Sequence, residues 1–114
     1  MTINERSDAT AMAEAVQNKT VSPRELVEAT IRESERTNPK INAIVSQRYE
    51  KAIEEAETRN FSGKPFSGVP IFLKDLGQEQ AGEPSSAGSR LFTSYRAKEQ
   101  ITMLRSLRNW ALLF

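Results

Sequence analysis

A lysine that directly follows a short apolar run has the clearest potential for chemistry in this sequence. Lys74 comes after residues 69–73, which are apolar at every position and predict a strand. Active sites of open α/β sheets collect at the carboxyl ends of such strands. Partial desolvation there lowers the pKa of an amine, and a neutral lysine can take a proton from a serine hydroxyl. The alternative is a structural lysine whose ammonium group pairs with Asp75 or another carboxylate.

Two missing residue types narrow the possible chemistry. The 114 residues include no cysteine and no histidine. Disulfides, thiolate nucleophiles, a Ser-His-Asp triad and most zinc sites are therefore excluded. Acid–base chemistry has to use Asp, Glu, Lys or Tyr. The net charge of +1, with acidic and basic residues mixed along the chain, gives no electrostatic case for a nucleic acid or an anionic membrane as partner.

A serine-rich segment at residues 85–89 (Ser-Ser-Ala-Gly-Ser) could suggest a nucleophile. It lacks the Gly-x-Ser-x-Gly pattern of a nucleophile elbow, and its glycines are too sparse for a phosphate-binding loop. We therefore interpret it as a structural loop. Glu54 and Glu55 are interpreted in the same way, as part of a solvated helix face rather than as paired catalytic carboxylates.

Helices are predicted for most of the first half of the chain. Asp8 is expected to cap a first helix that ends near residue 18. Residues 22–25 (Ser-Pro-Arg-Glu) combine a capping box with a proline at the first helical position, which predicts the start of a second helix. Pro39 should end that helix, because the residue before a proline avoids the helical region. Residues 41–46 then predict a strand or extended segment, and residues 47–59 a third helix.

The second half of the chain predicts a small α/β unit. Residues 69–73 should form a strand that is buried on both faces, between a turn at 60–67 and a loop at 77–89. Residues 99–109 predict a helix and residues 110–114 a second strand. The inward positions of this helix are expected to be Ile101, Met103, Leu104 and Leu107. The order strand, loop, helix, strand predicts a crossover unit, so the expected fold class is α/β.

Four stretches together resemble the amidase signature family. The most specific is residues 68–75 (Gly-Val-Pro-Ile-Phe-Leu-Lys-Asp), followed by residues 82–89 (Gly-Glu-Pro-Ser-Ser-Ala-Gly-Ser). Residues 21–26 and 42–44 are similar to the family's N-terminal helices and first extended segment. The resemblance extends from about residue 8 to residue 109. It implies the N-terminal helices and first crossover unit of that family's mixed sheet, so residues 1–114 would be the truncated N-terminal part of a single amidase domain.

The resemblance also implies a mechanism. Members of this family hydrolyse C–N amide bonds with a Ser–cis-Ser–Lys triad, and the lysine of the triad corresponds to Lys74. Both catalytic serines lie further downstream in the family, and Ser85, Ser86 and Ser89 match neither. The implied substrate is a small-molecule amide, and no metal or organic cofactor is implied. The oligomeric state is left open.

Two branches of the family are distinguished by one position. Residues 74–77 followed by residues 82–85 look more like free-standing bacterial amidases than like the A subunit of glutaminyl-tRNA amidotransferase. That subunit usually has Asn after the Lys-Asp pair, where this chain has Leu76. A piece of such a subunit, or a non-catalytic interaction fragment, is the alternative interpretation.

The last five residues suggest a shifted reading frame. After Asn109 the family continues into a strand, whereas this chain reads Trp-Ala-Leu-Leu-Phe. Suppose that the parent gene reads ATG GGC ATT ATT ATT TTA GGA after Asn109, which encodes Met-Gly-Ile-Ile-Ile-Leu-Gly. Deleting the first base of these codons gives those five residues and a stop codon. A deliberate truncation or a pseudogene product would also produce a shortened chain. We expect the fragment to be inactive, because a base without the nucleophile gives no acyl transfer. We also expect it to be marginally stable, because its sheet edges are unpaired.

The location of the protein is expected to be the cytoplasm. The first ten residues are polar and lack the apolar core of a signal peptide. The sequence also has no run of the ~20 apolar residues that a membrane-spanning helix needs.

Overall fold

Four α-helices carry the fold of the part of the chain that the structure describes. The structure is a computed structural model, and it describes residues 7–109. The helices are α1 (Ala9–Gln17), α2 (Pro23–Ile41), α3 (Tyr49–Thr58) and α4 (Thr102–Asn109). One turn of 3-10 helix lies at Arg90–Phe92. Between residues 7 and 109, no helix combines the length and the apolar character that crossing a membrane requires.

The first two helices begin where the sequence predicts. The Asp8 carboxylate accepts a hydrogen bond from the amide of Ala11 at 2.8 Å, which caps α1. At the start of α2 the Ser22 hydroxyl accepts from the Glu25 amide at 3.2 Å, and the Glu25 carboxylate accepts from the Ser22 amide at 2.8 Å. With Pro23 at the first helical position, this is the predicted capping box.

The predicted end of α2 is wrong by about one turn. Pro39 does not stop the helix but lies inside its last turn, and α2 ends at Ile41. Asn42 then takes the left-handed conformation, with φ of 48°, and its amide bonds to the Asn38 carbonyl. The Asn38 side-chain oxygen accepts from the amides of Ala43 and Ile44 at 2.8 and 2.9 Å. These bonds satisfy the backbone amides that follow the helix. They outweigh the bias against a helical conformation at Asn38, the residue before Pro39.

Helix α2 lies between two apolar clusters. Its adjacent residues Leu26 and Val27 each belong to a different one. Leu26 belongs to a cluster whose other buried members are Ala13, Val69 and Leu104. Val27 packs with Ala52 and Ala56 of α3 in the second cluster. These alanines are small, which lets α3 approach α2 closely. Because Val69 is buried in the first cluster, the segment that leads to Lys74 is anchored to α1, α2 and α4.

The predicted sheet is not seen between residues 7 and 109. Residues 69–73 and 41–46 lie in no named strand, although Pro70 is part of an isolated bridge, and the named elements in this part of the chain are helical. A strand needs a hydrogen-bonded neighbour, and the predicted partner at residues 110–114 lies outside the described residues. The expected burial of both faces of residues 69–73 is wrong at Phe72. Val69 is buried, but Phe72 is 54% exposed.

Helix α4 buries the predicted stripe with one exception. Leu104 is fully buried, and Ile101 and Leu107 pack against the same cluster. Met103 is 43% exposed, so its predicted inward position is wrong. Positions three apart share a helix face, whereas the residue just before Leu104 points about a quarter turn away.

Candidate active site

The segment that carries Lys74 begins with a close approach between Gly68 and the start of α2. Gly68 has a φ of 72°, in the left-handed region that glycine tolerates. A Cβ atom added to Gly68 would lie 2.6 Å from the Cβ of Pro23. The first residue of the segment is therefore pressed against the first turn of α2, and Val69 follows directly into the core.

Lys74 lies on the wall of a cavity of about 610 Å³. The side chain of Lys74 is exposed, so the desolvation expected from the sequence is not seen here. The backbone amide of Lys74 donates to the side-chain oxygen of Gln78 at 2.6 Å, which ties the turn after Lys74 together. Neighbouring walls of the cavity are apolar, including Phe72 and Leu76 on either side of Lys74 and Ile44 and Val45 from the connection between α2 and α3.

Asp75 does not bind Lys74 but holds the serine-rich loop. Its carboxylate accepts from the Ser86 hydroxyl at 2.5 Å and from the Ser86 amide at 2.9 Å. The bond from the Ser86 hydroxyl, helped by the backbone amides of Ser86, Gly88 and Ala87, holds the pKa of Asp75 below its usual value of 3.8, against a smaller opposing effect of burial. The alternative in which Lys74 pairs with Asp75 is therefore not seen, and Lys74 is left facing the cavity.

Replacing Ser86 with alanine should destabilise the chain most while Asp75 is ionised, and a smaller loss from the Gly88 amide, which donates to the Ser86 hydroxyl at 3.3 Å, should remain at every pH. Because the folded-state pKa of Asp75 is lowered, its bonds stabilise the fold above about pH 4 and lose their effect as the pH falls through the folded-state pKa. We expect Ser86→Ala to lower the free energy of unfolding by about 1 kcal/mol at neutral pH. The loss should shrink steadily in more acidic buffer. Urea denaturation of both proteins, followed by circular dichroism at several pH values, measures this difference.

The matched control for this prediction is Ser85→Ala, in the same loop. The structure gives the Ser85 backbone amide a partner, the carbonyl of Tyr95, which the substitution leaves in place. Ser85→Ala should therefore change stability little at any pH. If the Ser86→Ala loss has no pH-dependent part down to strong acid, the role of the Asp75 carboxylate is contradicted.

The serine-rich segment is confirmed as a structural loop. The Ser86 hydroxyl bonds to Asp75, and the Ser89 hydroxyl accepts from the Leu91 amide at 3.3 Å, capping the 3-10 turn. Isolated bridge pairing between Pro84 and Arg96 closes the loop on its other side. These hydroxyls are used in holding the backbone.

Charged side chains fasten the start of this loop to α3. Glu83 accepts from Lys51 at 2.7 Å and from Arg48 at 3.3 Å. Burial raises the pKa of Glu83, but the hydrogen bond from Lys51 and the charges of Arg48 and Lys51 outweigh it, so the pKa lies below its usual range. Glu55 also binds Arg48, at 2.9 Å, and Arg108 of α4, at 3.3 Å. Helices α3 and α4 and the loop are thus joined by one group of ion pairs. Glu55 belongs to this group and is not simply a solvated acid, which corrects the sequence-based interpretation.

Sequence reasoning missed the contacts that hold the Lys74 segment in place. Asp75 and Ser86 are eleven residues apart, and no periodic pattern connects them. Gly68 and Pro23 are still further apart, although the positive φ of a glycine just before an apolar run is the kind of turn that the sequence can suggest. Gln78 gives no sequence signal for its bond to the Lys74 amide.

Comparison with known proteins assigns the chain to a family. Residues 25–114 match the model of the family described as Amidase. The chain belongs to this family, the amidase signature family. It is 39% identical over 103 residues to a 6-aminohexanoate-cyclic-dimer hydrolase of Paenarthrobacter ureafaciens, covering 89% of this chain and 20% of the hydrolase. It is 35% identical over 104 residues to a lipoamidase of Enterococcus faecalis, covering 91% of this chain and 14% of the lipoamidase.

A third relative has a different role by name. The chain is 33% identical over 90 residues to the A subunit of the glutamyl-tRNA(Gln) amidotransferase of Oleidesulfovibrio alaskensis, covering 75% of this chain and 18% of that relative. This chain therefore spans a fifth or less of the length of these curated relatives.

Solved structures show the same fold. A structure of 6-aminohexanoate cyclic dimer hydrolase matches with a TM-score of 0.89 and 33% identity, over 98% of this chain and 23% of the hydrolase. A bacterial aryl acylamidase described as an amidase signature enzyme matches with a TM-score of 0.81 and 31% identity, over 94% of this chain and 24% of that enzyme. The helices and loops described above are thus arranged as in part of these enzymes.

Proposed function

We propose that this chain is the N-terminal part of an amidase that hydrolyses C–N bonds of small-molecule amides, with Lys74 as its catalytic base. The observation that carries the proposal is the position of Lys74. Lys74 lines a cavity whose surface is mainly apolar. The adjacent acid, Asp75, binds Ser86 and does not pair with the Lys74 ammonium group. Lys74 also lies within the region that matches the Amidase family.

The proposed chemistry is acyl transfer through a serine. In its neutral form the Lys74 amine would take a proton from a bridging serine, which in turn would take the proton of the nucleophilic serine. The nucleophile would attack the amide carbonyl, and the amine would leave from an acyl-enzyme that water then hydrolyses. Both serines are expected from the part of the family's chain that follows the region matched here. The 114 residues alone are therefore proposed to be inactive.

The alternative function is that of a piece of an amidotransferase A subunit or a non-catalytic interaction fragment. The match to the A subunit supports it, but at lower identity and over less of the chain than the match to the cyclic-dimer hydrolase. Leu76, where that subunit usually has Asn, also favours the hydrolase. We therefore place the amidase first.

A chimera with a relative tests the proposed activity. In it, residues 7–109 of this chain replace the aligned region of the Paenarthrobacter ureafaciens hydrolase. We expect the chimera to hydrolyse 6-aminohexanoate cyclic dimer and the isolated 114-residue chain to show no turnover above buffer. Product amine released over time measures both. The parent hydrolase is the positive control. A folded chimera with no activity would contradict the proposal, and so would turnover by the isolated chain.

A further inference from the structure

An exposed turn carries large apolar side chains that belong to neither apolar cluster. All seven residues from 90 to 96 are exposed, and none of them lines the cavity that contains Lys74. Leu91 is 81% exposed, Phe92 45% and Tyr95 38%. The rings of Phe92 and Tyr95 pack edge to face, with their centroids 6.4 Å apart. Large apolar side chains grouped in one exposed place are typical of an interaction site.

Positive charge surrounds these apolar side chains. Residues 84–98 contain three basic residues and no acidic residue, although acidic and basic residues are nearly balanced over the whole chain. All three basic residues are exposed. We define the basic–apolar patch by Arg90, Leu91, Phe92, Tyr95, Arg96 and Lys98. Burying its cations inside a domain would cost free energy, whereas arginine and aromatic residues are enriched where separate proteins meet. The patch is therefore typical of a surface that binds a separate molecule.

The backbone holds the basic–apolar patch in one conformation at both ends. At its start the Ser89 hydroxyl accepts from the Leu91 amide at 3.3 Å. At its other end Arg96 forms the isolated bridge with Pro84, and the next residue, Ala97, is buried. A surface that is already ordered loses little conformational freedom on binding, which favours affinity.

We propose that the basic–apolar patch binds an acidic segment of a partner protein, in which carboxylates flank one or two apolar side chains. This proposal does not depend on the proposed amidase activity. The guanidinium groups of Arg90 and Arg96 are suited to bidentate bonds with carboxylates. The aromatic pair and Leu91 supply the apolar area between these two charges.

Other occupants fit the basic–apolar patch less well. A second copy of this chain would bring like charges together, because a two-fold interface places the same patch on both sides. Three cations attract an anionic bilayer or a single-stranded nucleic acid only weakly. An acidic protein segment uses both the charges and the apolar side chains, so it is the better complement.

A labelled peptide tests the charged part of the patch. The probe is Glu-Glu-Leu-Phe-Glu-Glu with fluorescein at its N-terminus, and fluorescence anisotropy measures its binding to the 114-residue chain. Arg90→Glu and Arg96→Glu together exchange attraction for repulsion, and we expect the affinity to fall about tenfold or more. Lys64→Glu is the matched control, because Lys64 is exposed and lies outside the patch. It should change the affinity by less than about twofold.

Two further variants test the apolar part of the patch. Leu91→Ser should weaken binding about threefold or more, because it removes apolar area that the probe would cover. Ile41→Ser should have little effect, since Ile41 is 63% exposed but lies outside the patch. A probe with lysine in place of every glutamate should not bind. Circular dichroism of each variant confirms that the helices are retained.

The proposal is overturned if the glutamate probe does not bind, or if patch and control variants lose the same affinity. Tighter binding to vesicles of equal parts phosphatidylglycerol and phosphatidylcholine, or to oligothymidine, would assign the patch to a membrane or a nucleic acid instead. The hydrolase chimera described above repeats the measurement within a whole domain. Loss of binding in a folded chimera would show that the rest of the domain covers the patch, which also overturns the proposal. With an unfolded chimera, the variants of the 114-residue chain decide.

Discussion

Replacing Lys74 with alanine in the hydrolase chimera is expected to lower kcat by about 10²- to 10⁴-fold, the range of a general base. The physical reason is the loss of the amine that would take the proton from the bridging serine. The fold should be unaffected, because the Lys74 side chain is exposed and its structural bond, to Gln78, is made by the backbone amide. Initial rates at saturating substrate, together with circular dichroism of each variant, measure the two effects separately.

Two further variants separate a base from a mere positive charge. Lys74→Arg keeps the charge, but its guanidinium stays protonated and cannot accept a proton, so it should be about as inactive as Lys74→Ala. Lys64→Ala removes another exposed lysine, in the turn before Gly68, and should keep kcat within about twofold of the unmodified chimera. Near-normal activity in Lys74→Arg would show that Lys74 contributes charge rather than proton transfer.

The helices could be predicted because their signals are local. The Ser22 capping box, the Asp8 cap and the apolar stripe of α4 each depend on residues within one or two turns, and the structure places them as expected except for Met103. The predictions are wrong where a hydrogen bond from outside the local pattern outweighs a local conformational preference. Pro39 is held inside α2 because the Asn38 side chain takes up the amides beyond the helix end.

The sheet could not be tested because strands depend on partners distant in sequence. Residues 69–73 have the composition of a buried strand, but between residues 7 and 109 no neighbouring strand pairs with them. The side chain of Phe72 is exposed for the same reason, the lack of a neighbouring strand in this part of the chain. A segment that is apolar on both faces is typical of a covered sheet, and this chain covers only part of the enzymes that it matches.

The candidate site also has one part that the sequence predicts and one part that it does not. Lys74 could be singled out from its motif, and its role is still a prediction. The contacts that position it could not be found, since Asp75 with Ser86 and Gly68 with Pro23 join separate parts of the chain. Motif spacing identifies a reactive group, whereas its surroundings are set by packing.

Gly68→Ala should destabilise the chain by about 3 kcal/mol, the largest loss of stability that we expect. Two costs combine in this substitution. A residue with a Cβ atom in the left-handed region costs roughly 1–2 kcal/mol. The new methyl group would also lie 2.6 Å from the Cβ and 2.9 Å from the Cγ of Pro23, and forcing the two apart costs roughly 1–3 kcal/mol. The midpoint of urea unfolding and its slope measure the loss.

Comparing Gly68→Ala with Gly63→Ala isolates the cost of the close contact with Pro23. Gly63 has nearly the same φ, 70° against 72° for Gly68, but an added Cβ there meets nothing within 4 Å. Both substitutions restrict the unfolded chain equally, so this contribution cancels when they are compared. Gly63→Ala should thus cost only about 1 kcal/mol. If the two variants lose the same stability, Gly68 is needed for its backbone conformation alone, and its close approach to Pro23 does not hold the Lys74 segment against α2.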